Sequence, residues 1–258
     1  MLSLQINIDG LDIRYESAGK DSGRDILILP GWGAALDLYE FLIKHLSDRF
    51  KVTAVDFPGC GGSQIMSEPW DVQDYADFVV KFIEKAGLNN PILIGHSNGG
   101  RVIMQLCGTG MLSPDKVVLL GAAGINHKKT FKQNLRQSVF KFIKKVLLLP
   151  GIRKYSKNML DKARNHFGSA DYKSAPDVLR RTMVKLISRD MREVLPNIKA
   201  STLLIYGEND TAATVDDANV IASCIDDAGV CVIRGAGHFA FLDRPFEVAK
   251  IIDSFLNS

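Results

Sequence analysis

The 258-residue sequence has no apolar run of eighteen or more residues, so it offers no ordinary membrane-spanning helix. It also lacks a basic start followed by an apolar block. Met1 to Gly10 alternates apolar and polar residues and reads as a strand, not as a secretory signal. Cysteine is scarce, with Cys60, Cys107, Cys224 and Cys231 showing no paired metal-ligand spacing. Three of these, Cys107, Cys224 and Cys231, sit in or beside apolar segments, where a thiol acts as a small hydrophobe. A reduced, cytoplasmic protein is the expectation. No internal repeat and no low-complexity linker interrupts the chain. What remains is an ordinary globular balance, 46% hydrophobic and 24% charged, in a length that suits one large α/β domain or two small ones.

The net charge of +3 hides a strong asymmetry. Between Ile125 and Arg192 there are 18 Lys and Arg against 4 Asp, while the rest of the chain holds 14 basic and 25 acidic residues. A basic segment inside an acidic body suggests an insertion with its own role. Nucleic acid is not the expected partner, because neither a recognition fold nor an interleaved aromatic platform accompanies the charge.

Apolar periodicity divides the chain into alternating elements. Leu4–Ile8 and Leu11–Tyr15 read as strands joined by an Asp9-Gly10 turn. Ile26–Leu29, Val52–Val55, Pro91–Ile94, Val117–Leu120, Thr202–Tyr206 and Val230–Ile233 read as further, mostly buried strands. Leu36–Leu46, Val72–Ala86, Gly99–Cys107, Val215–Ile225 and Phe246–Leu256 carry helical spacing, and Gly87 is placed to end the second of these. Such alternation implies an α/β fold with a mostly parallel central sheet of about eight strands and helices on both faces. From residue 125 to 195 the alternation stops, and the sequence is helical, basic and broken by Pro150-Gly151 and Pro176. The expected organisation is a core of residues 1–124 and 196–258 carrying a helical cap, 125–195.

Chemistry concentrates in Ile92-Leu93-Ile94-Gly95-His96-Ser97-Asn98-Gly99-Gly100, where a buried strand runs through Gly-x-Ser-x-Gly into a helix. A serine on so sharp a turn is strained, and residues two positions away on either side must be small to avoid collision. The turn lifts the Ser97 hydroxyl to the amino end of a helix, where partial positive charge favours a developing oxyanion. A chance glycine turn is the plain alternative, but the strand before and the helix after argue against it. His238, in Gly235-Ala236-Gly237-His238-Phe239, follows the last strand and lies at the carboxyl edge where strand-end loops converge, which marks it as the base. His45 falls in a helix, His127 and His166 in the cap, and His96 beside the serine is expected to be structural.

Gly95-His96-Ser97-Asn98-Gly99-Gly100 resembles the nucleophile elbow of the α/β-hydrolase family. Pro30-Gly31-Trp32-Gly33 resembles its oxyanion loop, and Asp56-Phe57-Pro58-Gly59-Cys60-Gly61-Gly62-Ser63 its turn after the fourth strand. The resemblance spans nearly the whole chain except the cap. It implies the order serine, acid, histidine, which points to Asp210 after the strand Leu203–Tyr206, with Glu208 as local rival. Gly121-Ala122-Ala123-Gly124, where some members carry the acid, offers no carboxylate. Asp216, Asp217 and Asp243 suit helix starts or surface and capping roles. By the same resemblance the oxyanion hole is formed by the main-chain N–H groups of Trp32 and Asn98.

The family likeness implies acyl transfer to water without metal or organic cofactor, on a small to medium carboxylic ester. A thioesterase, a carbon–carbon bond hydrolase, a cofactor-free haloperoxidase and a hydroxynitrile lyase are compatible with the same residues. So is a ligand receptor that turns over slowly or not at all. Serine at position 97, where dehalogenases and epoxide hydrolases of the family carry aspartate, argues against those two. In the cap, Phe131, Leu135, Val139, Phe142 and Val146 form an apolar stripe between Lys132, Arg136, Lys141, Lys144 and Lys145. The stripe either packs on the core, lines an acyl pocket or rests on an anionic lipid surface.

Overall fold

Where the sequence reads as continuous apolar runs, the chain forms strands covered on both faces. β3 (Asp25–Leu29) and β5 (Ile92–His96) are buried at every position. In the computed structural model, which describes residues 2–20, 23–127 and 175–258, they are central to one eight-stranded sheet. The other strands are β1 (Leu2–Ile8), β2 (Leu11–Ala18), β4 (Lys51–Val55), β6 (Lys116–Leu120), β7 (Ser201–Gly207) and β8 (Ala228–Ile233). Their order is β1-β2-β4-β3-β5-β6-β7-β8, antiparallel at the first two pairings and parallel from β4 onward. The β1–β2 hairpin turns on Asp9 and Gly10, both at positive φ (51° and 84°), as a tight primed turn requires.

Register brings the carboxyl ends of the parallel strands into line. Leu29 pairs with Gly95, His96 with Leu120, Leu120 with Ile205 and Gly207 with Ile233. The segments leaving β3, β5, β6, β7 and β8 therefore emerge along a single edge, which assembles a site from residues far apart in sequence.

Helices cover the sheet where their apolar stripes predict. The stretch Leu36–Leu46 divides into a 3-10 turn, Leu36–Tyr39, and α1, Glu40–Leu46. Two long-range bonds hold the tighter turn: Leu36 N–H donates to Asp56 Oδ1 (3.0 Å) and Gly31 N–H to the Tyr39 hydroxyl (3.0 Å). α2 (Val72–Lys85) starts at a reciprocal Asp71–Asp74 capping box and buries Tyr75, Val79 and Phe82. Each such fully buried large side chain contributes about 1.5–3 kcal/mol. α3 (Asn98–Gly108) is buried along its whole length. After α4 (Asp177–Ser188) come α5 (Val215–Cys224), opened by Thr214 with Asp217 as expected, the short α6 (Ala240–Asp243) and α7 (Pro245–Asn257).

The chain divides into two compact units, residues 1–125 with 181–258, and residues 126–180. Residues 181–195 belong to the first, where Met191 and Leu195 are fully buried. The basic stripe Phe131 to Val146, the Pro150-Gly151 break and His166 lie outside the described residues. All four cysteines are free thiols, and Cys60 is buried along with Cys107. Among the described residues no helix is long and apolar enough to cross a membrane.

Candidate active site

Ser97 follows β5 directly and opens α3 with φ 51° and ψ −108°, a conformation that costs a non-glycine residue about 1–3 kcal/mol. Neighbouring main chain holds it there. Ser97 N–H donates to the Leu120 carbonyl (3.0 Å), and its own carbonyl accepts from Arg101 N–H (3.2 Å) and Ala123 N–H (3.1 Å). The elbow is thus tied to the exit of β6. The need for small flanking residues is met in an unexpected way. A Cβ at Gly95 would lie 2.6 Å from Gly100 N, inside the elbow, whereas one at Gly99 would lie 2.1 Å from the Leu29 carbonyl oxygen. Gly99 therefore clears the end of β3.

His238 stands in the loop after β8 with its side chain 22% exposed, and its Nδ1 lies 2.7 Å from Asp210 Oδ2. Asp210 is buried, and its other oxygen accepts from Ala212 N–H (2.8 Å) and Ala213 N–H (3.0 Å). Burial acts to raise the Asp210 carboxyl, but the His238 ring and the two N–H groups outweigh it and hold the group below its usual value. Facing a carboxylate, Nδ1 carries the proton, and Nε2 is left with a lone pair able to take one. Among the described residues no hydrogen bond joins that ring to the Ser97 hydroxyl. Such bonds are often long before a substrate arrives.

The rival acids have other tasks. Glu208 Oε2 accepts from Gly235 N–H (2.9 Å) and Asp243 Oδ2 from Gly237 N–H (2.8 Å), so both brace the loop that carries His238. His45 pairs with Asp253 at 2.8 Å. His96 is buried and lies with its ring 4.8 Å from that of His238. Burial foremost, and His238 beside it, lower its pKa to about 3, so it stays neutral.

Trp32 is half-buried in the turn after β3, closed by Ala34 N–H donating to the Gly31 carbonyl (3.2 Å). Among the described residues the main-chain N–H groups of Trp32 and Asn98 donate to no protein acceptor. Such free donors, one of them at a helix amino end, suit a developing negative charge. An open cleft of about 650 Å³ lies elsewhere, at the amino edge of β6 and β7 beside Asp115 and Ser201, and none of these groups lines it.

Two site residues escaped the reading of the sequence. Tyr39 reaches His96, 57 positions away, through its hydroxyl, and nothing local in the sequence signals that. Gly121 sits at φ +48°, and a Cβ there would lie 3.3 Å from Asp210 Oδ2 and 3.4 Å from His238 Nδ1. Its one local signal is a glycine immediately after a strand.

With this geometry in view, comparison with known proteins is decisive for the family. The sequence pattern of the Alpha/beta hydrolase family matches residues 26–251. The chain belongs to this family. The AB hydrolase superfamily protein YisY of Bacillus subtilis is 28% identical over 251 residues, 92% of each chain. Monoacylglycerol lipase ABHD6 of Mus musculus is 26% identical over 253 residues, 90% of this chain and 75% of that one. Among solved structures, the enol-lactonase of Burkholderia xenovorans LB400 superposes with a TM-score of 0.76 at 20% identity, covering 99% of this chain and all of the other. The last likeness concerns the fold alone. Membership and relatives together make this chain a hydrolase of the α/β type.

Proposed function

We propose that this hydrolase cleaves carboxylic esters by two-step acyl transfer, with Ser97 as nucleophile, His238 as base and Asp210 as the acid that orients the base. The carrying observation is the 2.7 Å contact of His238 Nδ1 with buried Asp210, at the sheet edge where Ser97 occupies a strained elbow. Ser97 Oγ attacks the ester carbonyl carbon while His238 Nε2 takes its proton. The N–H groups of Trp32 and Asn98 hold the resulting oxyanion, a pair whose single members are typically worth about 3 kcal/mol each. His238 then protonates the departing alkoxide, activates a water on the acyl-enzyme, and returns the proton to Ser97 as the acid leaves.

Esters that carry a lipid-like acyl chain fit the reading best, since several relatives are monoacylglycerol lipases. Residues 126–180 correspond to the expected cap, and the basic stripe in their sequence favours contact with anionic lipid. Four free thiols suit a reducing cytoplasm. A chain-length series of p-nitrophenyl esters, run beside Ser97→Ala, tests the reaction. Turnover that disappears in the variant supports it, and the preferred length sizes the pocket. Silence across the series from folded protein, together with no reaction at Ser97 towards a fluorophosphonate, favours a receptor of the same fold.

A further inference from the structure

Behind Ser97 runs a row of buried polar groups that the proposed reaction does not use. Tyr39 and His96 are each 1% exposed. Gly31 N–H lies 3.0 Å from the Tyr39 hydroxyl oxygen, which lies 3.0 Å from His96 Nδ1, and His96 Nε2 lies 3.1 Å from the carbonyl oxygen of His238. The two ends dictate the direction of every proton. A carbonyl only accepts, so Nε2 carries the ring hydrogen. In a neutral ring Nδ1 is then an acceptor, so the Tyr39 hydroxyl donates to it and keeps its lone pairs for Gly31 N–H. Each donor meets one acceptor, and none is left over.

The row begins and ends on the working loops. Gly31 immediately precedes Trp32, and the far end is the main chain of His238 itself. Asp210 fixes the His238 ring through Nδ1, while His96 fixes its backbone. Aromatic rings wall the row from water: Tyr39 stacks on Phe241 at 5.1 Å, and His96 packs against Phe239 at 4.9 Å and Phe241 at 5.1 Å. In a dry setting an unmade bond is costly, so the row resists sliding.

We propose that Tyr39 and His96 are positioning residues, which through this directed row of hydrogen bonds set the oxyanion loop and the base loop at a fixed distance across Ser97. The proposal rests on the Ser97–His238–Asp210 reading. Glu208 and Asp243 brace the base loop from its own side through Gly235 and Gly237 N–H, and the row adds the link from that loop across to the oxyanion loop. Displacement of a reacting group by about 1 Å costs up to about a hundredfold in rate, which is the scale at stake.

The test measures kcat, KM and thermal midpoint for wild type, Tyr39→Phe, His96→Leu and His96→Gln on the best p-nitrophenyl ester, with Ser97→Ala as blank. Tyr39→Phe keeps the ring on Phe241 and removes only the hydroxyl. Glutamine can place its amide nitrogen where Nε2 stood and donate to the His238 carbonyl, whereas leucine cannot. The expected result is kcat lower by about 10- to 100-fold in Tyr39→Phe and His96→Leu with KM nearly constant, and recovery of much of the loss in His96→Gln. Should His96→Leu fail to fold, Tyr39→Phe decides alone. Folded Tyr39→Phe with wild-type kcat overturns the proposal, as does His96→Gln no better than a folded His96→Leu. Wild-type protein that turns over no more than the Ser97→Ala blank overturns the catalytic reading itself, and the positioning role with it.

Discussion

Replacing Gly121 by alanine is a small change with a large expected consequence. At φ +48° an L-residue pays about 1–2 kcal/mol for the left-handed backbone. The added methyl carbon would also lie 3.3 Å from Asp210 Oδ2, 3.3 Å from the His238 carbonyl oxygen and 3.4 Å from His238 Nδ1. The first two distances are shorter than ordinary packing and the third is at its limit, so the Asp210–His238 pair must give by a few tenths of an ångström. Those are the atoms that aim the base. The expected outcome is a stability loss of about 1–2 kcal/mol in urea unfolding and a kcat about 10- to 100-fold below wild type, with KM far less affected. Gly87→Ala separates the two effects. Its φ is +67° and nothing lies within 4 Å of its Cβ position, so it carries the backbone strain without the crowding. It should lose comparable stability and keep its rate. Gly121→Ala with wild-type kcat, or a Gly87→Ala equally slow, would refute the reasoning.

Asp210→Asn should lower kcat by about four orders of magnitude while leaving the circular dichroism spectrum unchanged, because the amide no longer enforces the tautomer with Nε2 free. Retention of a tenth of the rate would return Glu208 to consideration. Acid sensitivity should trace partly to His96. Its folded pKa of about 3 lies below that of an unfolded histidine, near 6.5, so the unfolded chain binds the extra proton and stability falls as pH falls through that window. The slope is at most about 1.4 kcal/mol per pH unit, or about 2 kcal/mol between pH 7 and pH 5. His96→Gln should flatten the stability profile over that range by a similar amount, and an unchanged slope would show that the proton goes elsewhere.

How much could be read from sequence depended on whether the cause was local. β3 and β5 were legible because strands covered on both faces must be apolar throughout, and the Asp9-Gly10 turn because few residues accept positive φ. Ser97, His238 and Asp210 stood out as candidates because each follows a readable strand in a glycine-rich turn. The division of Leu36–Leu46 was not legible, since its first turn answers to Asp56 and Gly31, which lie outside the helix. Tyr39 was invisible for the same reason. The bracing role of Glu208 is also long-range, resting on a β7 exit that lies against the loop after β8. For Gly99 the demand for smallness was legible, but the nearest obstruction, the Leu29 carbonyl, was not, because it belongs to another strand.

The central claim, that Ser97 is an activated nucleophile, is tested most directly by intact mass after exposure to a fluorophosphonate, followed by peptide mapping. The expected result is a single phosphonyl adduct on the peptide bearing Ser97, absent in Ser97→Ala and strongly slowed in Asp210→Asn. An adduct on another residue, or none on folded protein under conditions that label a known serine hydrolase, would contradict the account.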